Sequence, residues 1–344
     1  MTGPARSCAG PPGAAADRLR AMLDASPAAH RLRNGRELVD VRRSAGQYSS
    51  SFAIEDVELV FADGTTAALV LKDLGPHALL AEAARVKPPF LFDPRREIET
   101  YRHVLGPHDL GAPAMIGAEA DDAERRYLLL LEKVNGVPLW QAGDPEAWRA
   151  AARWQAATHA RLAGHAEALA APARLLRYDE PYYARWRDRA EAALARESDG
   201  AEARRLLRVY EAAIPRLLGL PRTFIHGEFH ASNVLVEPLP AGWKITPVDW
   251  EMAALAPGLM DLADLTAGKW TPAERQAMAE AYRDAPGARG ATASPDFARE
   301  LEYCRLHRAV QWLAWSTEWS PPREHAQDWL GEALRVCETL GPVS

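Results

Sequence analysis

The chain has 344 residues, 48% of them apolar, and a formal net charge of −6, which is long enough to bury the cores of two or more folding units. An acidic balance without a clustered basic surface disfavours nucleic acid or an anionic membrane as partner, and no stretch reaches the roughly 20 uninterrupted apolar residues of a membrane span. Cys8, Cys304 and Cys337 lie far apart without metal-ligand spacing, and the N-terminus lacks the apolar core of a signal peptide, so a cytoplasmic protein with ordinary thiols is expected.

Residues 1–37 read as an N-terminal extension, partly loose. The first sixteen are rich in Pro, Gly and Ala, Asp17 to Leu23 predict a short helix, and Ser26-Pro27 a linker. From residue 38 the pattern turns to strands. Val39-Asp40-Val41 leads into a run of small polar residues, Ser44 to Phe52, that includes Ser49, Ser50 and Ser51. Ile54 to Phe61, the Asp63-Gly64 turn and Thr66 to Leu71 follow, the last ending in Lys72. Small residues in such a loop let backbone N–H groups approach phosphates; a solvated hairpin tip is the plainer reading. Pro94 to Leu105 carries Ile98, Tyr101 and Leu105 at helical spacing. Glu97 and Glu99 point about 200° apart on that helix, so only one can face a given neighbour. Tyr127 to Leu131 predicts another apolar strand, ending in Glu132-Lys133-Val134.

Beyond Asn135 the character changes. Asp144-Pro145 has the cap and first position of a helix that runs to Leu162. Helices follow over Tyr182 to Arg196 and Ala201 to Leu218, and the strand Arg222 to Ile225 delivers His226-Gly227-Glu228-Phe229-His230-Ala231-Ser232-Asn233. Val234-Leu235-Val236 then reads as a strand, Pro238 to Gly242 as a turn and Trp243 to Val248 as the returning strand. In an antiparallel hairpin the start of one strand lies beside the end of the other, so Asn233 and Asp249 are expected to be neighbours. An amide oxygen and a carboxylate are hard ligands that suit Mg²⁺ with substrate phosphates filling its other positions. Glu228, a short loop away, is expected to face the same cluster. Three more helices are predicted near Pro272 to Arg283, Asp296 to Trp319 and Glu324 to Leu340. Strands first and helices later, with one hairpin in the helical half, predict an α+β fold.

A carboxylate, an Asn five residues on and a second carboxylate after a hairpin is the arrangement of kinase-type phosphoryl-transfer sites. The segment from His226 to Asp249 resembles the catalytic loop and metal-binding segment of the aminoglycoside phosphotransferase and choline kinase group, small-molecule relatives of protein kinases. The family pattern is His-Gly-Asp, four residues, Asn, then Ile-Asp-Trp or similar, and Glu228 stands where the family has Asp. The resemblance implies a two-lobed protein kinase-like fold: a nucleotide-binding N-lobe over 38–134, and a mainly helical C-lobe over 135–344 with catalytic loop and acceptor pocket. It also implies Glu228 as base, Asn233 and Asp249 as Mg²⁺ ligands, and Lys72 on the α- and β-phosphates of ATP or GTP. Glu97 matches the ion-pair partner of Lys72, with Glu99 the alternative, and the main chain of Glu132 to Val134 is placed at the purine edge. The extra methylene of Glu228 moves its carboxylate by roughly one bond length, a misplacement that can cost about 10²-fold. In a loose transition state the base mostly orients the hydroxyl. Glu can do that, so an active enzyme is expected.

Several residues keep two readings. His226 props the loop in preference to acting as base. His230 contacts phosphate or substrate, or is satisfied by a backbone carbonyl. Trp250 reads as packing, whereas Glu251 either stays near the metal or bonds a substrate hydroxyl or amine. Asp261 and Asp264 extend an acidic run with Asp249 and Glu251 that favours a cationic acceptor, or they are first-turn acids that complement a helix dipole. Trp312, Trp315 and Trp319 form a stripe that serves core packing or a stacking platform. The resulting expectation is an O-phosphotransferase acting on an aminoglycoside, amino-sugar or nucleoside-type antibiotic, in resistance or self-protection. A metabolic kinase of a small alcohol or amino sugar and a nucleotide-binding regulatory module without transfer activity are the alternatives.

Overall fold

The computed structural model describes residues 12–46, 51–197, 200–286, 294–315 and 327–341. By internal contacts the chain forms two units, Met1–Ala83 with Pro113–Val134, and Ala84–Ala112 with Asn135–Ser344.

The first unit opens with helices α1 (Pro12–Ala25) and α2 (Pro27–Arg33). The Ser26-Pro27 pair is a helix start: the Ser26 hydroxyl accepts the Ala29 N–H at 3.2 Å and Pro27 fills the first helical position, where its missing N–H costs nothing. Strands β1 (Leu38–Ala45), β2 (Ile54–Phe61) and β3 (Thr66–Asp73) precede helix α3 (Ala81–Val86), and β4 (Met115–Asp121) and β5 (Arg126–Glu132) complete an antiparallel sheet ordered β1-β2-β3-β5-β4. Alternate residues Val57, Leu59 and Phe61 of β2 and Leu69 and Leu71 of β3 bury one face against Leu19 and Leu23 of α1. Strand β4 has no counterpart in the sequence reading. Gly117, Ala118 and Ala120 give it little strand propensity, and its ladder with β5 supplies what propensity does not.

In the second unit α4 (Arg96–Thr100) continues through a π-helical turn at Tyr101–Leu105 into α5 (Gly106–His108), where the sequence predicts one regular helix. Strand β6 (Val137–Pro138) comes before α6 (Pro145–Leu162). Asp144 caps α6 by accepting the Glu146 N–H at 2.8 Å, as its position before Pro145 predicts. The chain proceeds through α7 (Ala166–Ala170), β7 (Leu176–Arg177), α8 (Glu180–Glu197), α9 (Gly200–Gly219) and β8 (Arg222–Ile225) to the hairpin β9 (Val234–Leu239) and β10 (Gly242–Pro247). It ends with β11 (Ala254–Pro257), α10 (Leu259–Leu265), α11 (Pro272–Arg283), α12 (Phe297–Trp315) and α13 (Trp329–Leu340). Two small sheets, β10-β9-β6 and β7-β11-β8, hold the loops that matter for function. Among the described residues no helix is long and apolar enough to cross a membrane.

The core of this unit packs the alanine face of α6 and the aromatic residues of α8 around α12. That last helix is buried nearly all round, polar residues included, and so lacks an apolar stripe. His307 accepts the Tyr210 hydroxyl hydrogen bond at 2.7 Å, and burial pushes its pKa well down, so it stays neutral. Cys304 and Cys337 are buried free thiols; Cys8 lies outside the described residues.

Helix α13 is tied to α11 through Glu332, whose carboxylate meets Arg275 of α11 at 2.6 Å and Arg335 of its own helix at 2.9 Å. Burial opposes ionisation of Glu332, but the two guanidinium groups outweigh it and pull its pKa down to about 2. The folded value lies below the unfolded one, about 4.3, so the stabilisation is present above that value and is lost as pH falls through the folded value. Glu332→Gln is expected to cost about 1.5–3 kcal/mol at pH 7. Melting temperatures of the two proteins, compared from pH 7 down to pH 2, should converge in the acid range.

Candidate active site

Strand β8 is paired on one edge with β11 and hands the chain to His226. The next residue has to be glycine for two separate reasons. Gly227 sits at φ +85°, and a Cβ there would lie 2.2 Å from the Met252 carbonyl oxygen. Asp261 of α10 then clamps the turn by accepting the N–H groups of His226 at 2.8 Å and Gly227 at 2.9 Å, with His159 Nε2 at 3.3 Å. Burial works against that carboxylate, but the bonds from His159 and His226 prevail and hold its pKa below the usual range. Gly227→Ala is therefore expected to lower activity by about 10²-fold or more through displacement of the loop. A steady-state assay alongside a circular dichroism melt checks it.

His226 acts as a bracket. Its Nδ1 accepts the Glu228 N–H at 3.3 Å, which leaves the proton on Nε2 to donate to the Val248 carbonyl at 2.9 Å. A neutral ring thus joins the loop to the end of the hairpin, the propping role expected of it. The Glu228 carbonyl accepts the His230 N–H at 2.8 Å and the Asn233 Nδ2 at 3.1 Å. With its nitrogen committed, Asn233 has its amide oxygen left for a cation. Register Val234↔Pro247 and the Val248 N–H bond to the Asn233 carbonyl at 2.9 Å set Asp249 beside Asn233.

Asp249 has φ +67° and ψ +67°, a left-handed conformation rare outside glycine. Such strain costs about 1–2 kcal/mol and persists where surrounding contacts over-determine it. The following residue provides them: the Trp250 N–H donates to Glu97 Oε1 at 3.3 Å, and its buried indole packs on His226 at 4.5 Å and stacks on Phe224 at 5.4 Å. Trp250 is packing, as the sequence suggests.

Glu251 is engaged within the protein. It forms a buried ion pair with Lys87, and Arg96 Nη1 donates to its backbone carbonyl at 2.8 Å. Lys87 escaped the sequence reading; the available signal was that it is one of only five lysines in an arginine-rich chain. Its charge lies in the field of Glu228. Burial, reinforced by the nearby carboxylates of Glu251 and Asp249 and opposed by Lys87 and Arg308, pushes the Glu228 pKa up to about 8.

Of the remaining expected residues, Glu97 is buried on α4 of the second unit, whereas Glu99 pairs with Arg102 at 3.0 Å. Lys72 belongs to the first unit: it is 3% exposed on β3, opposite Ile54 and Leu129. In the same unit the Ser51 carbonyl accepts the Leu80 N–H at 3.0 Å, Glu132 pairs across the sheet with Leu69, and Val134 ends the unit. Ser49 and Ser50 lie outside the described residues.

Asp261 and Asp264 do not form an acidic wall. The first holds the loop, and the second is 4% exposed in an ion pair with the guanidinium of Arg308. Beside the loop a cavity of about 350 Å³ is lined by His230, Asp264, Trp312 and four other tryptophans. Trp315 turns away to stack on Trp186 at 5.9 Å, and Trp319 lies outside the described residues.

A glycine-turned loop carrying a carboxylate, an Asn at the foot of a hairpin and a strained Asp at its return fit the kinase-type phosphotransferase that the family profile shows. The chain belongs to the phosphotransferase enzyme family (APH), whose sequence profile matches residues 58–302. Solved structures share the fold at low identity. Macrolide 2'-phosphotransferase MphH from Brachybacterium faecium is 19% identical with a TM-score of 0.52, over 85% of this chain and 91% of that one. The GDP complex of aminoglycoside 2'-phosphotransferase-IIIa is 13% identical, TM-score 0.56, over 94% and 97%. Choline kinase LicA from Streptococcus pneumoniae is 14% identical, TM-score 0.53, over 90% and 96%. No curated protein sequence matches the chain.

Proposed function

We propose that the protein transfers the γ-phosphoryl group of ATP or GTP to a hydroxyl of a small molecule, with Glu228, Asn233 and Asp249 as the reacting centre. The observation that carries the reading is the hairpin register, which sets a strained Asp249 beside Asn233 and fixes Asn233 to the Glu228 loop. An amide oxygen and one carboxylate fit Mg²⁺, which binds through few protein groups and takes phosphate oxygens for the rest. Bound there, the ion would supply charge neutralisation on the phosphates.

The protein's own residues do the remainder. Glu228 orients the acceptor hydroxyl and takes its proton as the new O–P bond forms and the bond from γ-phosphorus to the β–γ bridging oxygen breaks. Lys87 answers the negative charge of the carboxylate group. Lys72 keeps the role that family membership suggests, contact with the nucleotide α- and β-phosphates, with Glu97 as its assigned partner. The Ser49 to Ser51 loop and the Glu132 to Val134 main chain are assigned to nucleotide as well. Structural neighbours solved with GDP or with ADP and spectinomycin support a nucleotide co-substrate and a small acceptor.

Modification of an antibiotic, for resistance or self-protection, is the biological sense we favour over a metabolic role. Mass spectrometry of the protein with Mg-ATP or Mg-GTP and a panel of aminoglycosides, macrolides, amino sugars and nucleosides tests the proposal. Gain of one phosphoryl group on an acceptor is the expected result. Tight nucleotide binding with no acceptor modified, by either the wild type or a Glu228→Asp variant, would favour a regulatory nucleotide-binding module instead.

A further inference from the structure

The cavity beside the loop is walled by Trp140, Trp148, Trp270, Trp312 and Trp329. Trp148 and Trp270 meet edge to face with centroids 4.5 Å apart, and Trp312 and Trp329 stack at 5.1 Å with their rings 6° from parallel. These four indoles are half-buried and Trp140 is exposed, and all five line the one cavity. Tryptophan half-exposed in a concavity costs solvation that a ligand recovers, and its faces favour flat apolar partners, whether an aromatic ring or the C–H face of a sugar.

The charges of the cavity are few. Asp264 contributes the one carboxylate among the lining residues, and its charge is already answered by Arg308. Lys269 adds a cation at the rim, and His230 lies 5.5 Å from the ring of Trp312. A polycationic ligand needs several carboxylates to replace its water and meets here a single one, whose Oδ1 is already held by Arg308. His230 also joins the cavity to the chemistry, because its N–H is bonded to the Glu228 carbonyl two residues before it.

From this we infer that the acceptor is an alcohol of low charge carrying an apolar ring face, clasped between indoles with its hydroxyl presented toward Glu228, and that polycationic aminoglycosides are poor ligands. The inference rests on the phosphotransferase reading of the same site and narrows it. It differs from the cationic acceptor expected from the acidic run in the sequence, because the carboxylates of α10 are spent inside the protein.

The test is a calorimetric and intrinsic-fluorescence titration of nucleotide-free protein with three probes: an uncharged aryl glycoside, a macrolide with a single amine and a polycationic aminoglycoside. The first two should bind and quench, each more tightly than the aminoglycoside. Trp312→Ala should weaken them roughly tenfold, the scale of one lost stacking partner, and Trp312→Phe should recover most of that. Tightest binding by the aminoglycoside, no binding by the first two, or affinities unmoved in Trp312→Ala would overturn the inference. Adding Mg-ATP to the same mixtures separates the two levels. Phosphorylation of the aminoglycoside alone retires the pocket inference and leaves the kinase; ring-faced ligands that bind through Trp312 while no acceptor gains phosphate retire the kinase reading and leave the pocket.

Discussion

Asp249→Asn is expected to lower phosphoryl transfer by about 10³-fold or more while the melting temperature stays close to the wild type. The substitution removes one negative charge and little volume. Asn tolerates the left-handed backbone at this position better than most residues, so the hairpin return at φ +67° should survive. On the proposed assignment the substitution removes the anionic ligand, and with it the affinity for Mg²⁺ that a single amide at Asn233 would not supply. Activity at increasing Mg²⁺, read beside a thermal melt, distinguishes this from misfolding. Transfer at the wild-type rate in the variant would sink the metal assignment.

Glu228→Gln should pull activity and stability in opposite directions. Loss of the base is worth about 10²–10⁴-fold in rate. Stability should rise, because the carboxylate is held where burial and two neighbouring acids oppose its ionisation, with a pKa near 8. A folded pKa above the unfolded value, about 4.3, means that the stabilising contribution of the protonated acid is complete below pH 4.3 and disappears as pH rises through 8. The gain of the Gln variant in melting temperature should therefore be absent near pH 4, grow through neutrality and level off above pH 8. The wild-type rate should climb over the upper part of that window as Glu228 ionises, with its inflection drawn lower by Mg²⁺. Glu228→Asp keeps the charge but withdraws it, and up to about 10²-fold should be lost.

Much of the molecule was legible in the chain. The hairpin, the Asp144-Pro145 cap and the strands β2, β3, β5 and β8 carry local signals, turn residues or apolar alternation, that structure does not override. The spacing from Glu228 through Asn233 to Asp249 was readable because a hairpin converts sequence distance into proximity by fixed geometry. What escaped depends on partners remote in sequence. Strands β4, β7 and β11 are short or poor in β-formers and exist by pairing. Lys87 reaches Glu251 across 164 positions, a contact no local pattern encodes. Asp261 and Asp264 look like helix-start acids or an acidic surface, and only the fold shows that one binds loop N–H groups and the other Arg308.

Helix α10 has a bearing on how such an enzyme can diversify. Within one turn it supplies both Asp261, which grips the turn before Glu228, and Asp264, which floors the tryptophan cavity. Changes to this helix that retune acceptor preference would disturb the reacting loop at the same time. The opposite wall is tied to the loop by ring contact: Trp312 of α12 meets the His230 ring at 5.5 Å, and Trp329 of α13 stacks on Trp312. That tie runs between side chains, whereas Asp261 holds backbone N–H groups of the loop. Adaptation to new acceptors should therefore accumulate on those two helices and spare α10, a division of labour that a library randomised separately at the two walls would reveal in the fraction of variants that remain functional.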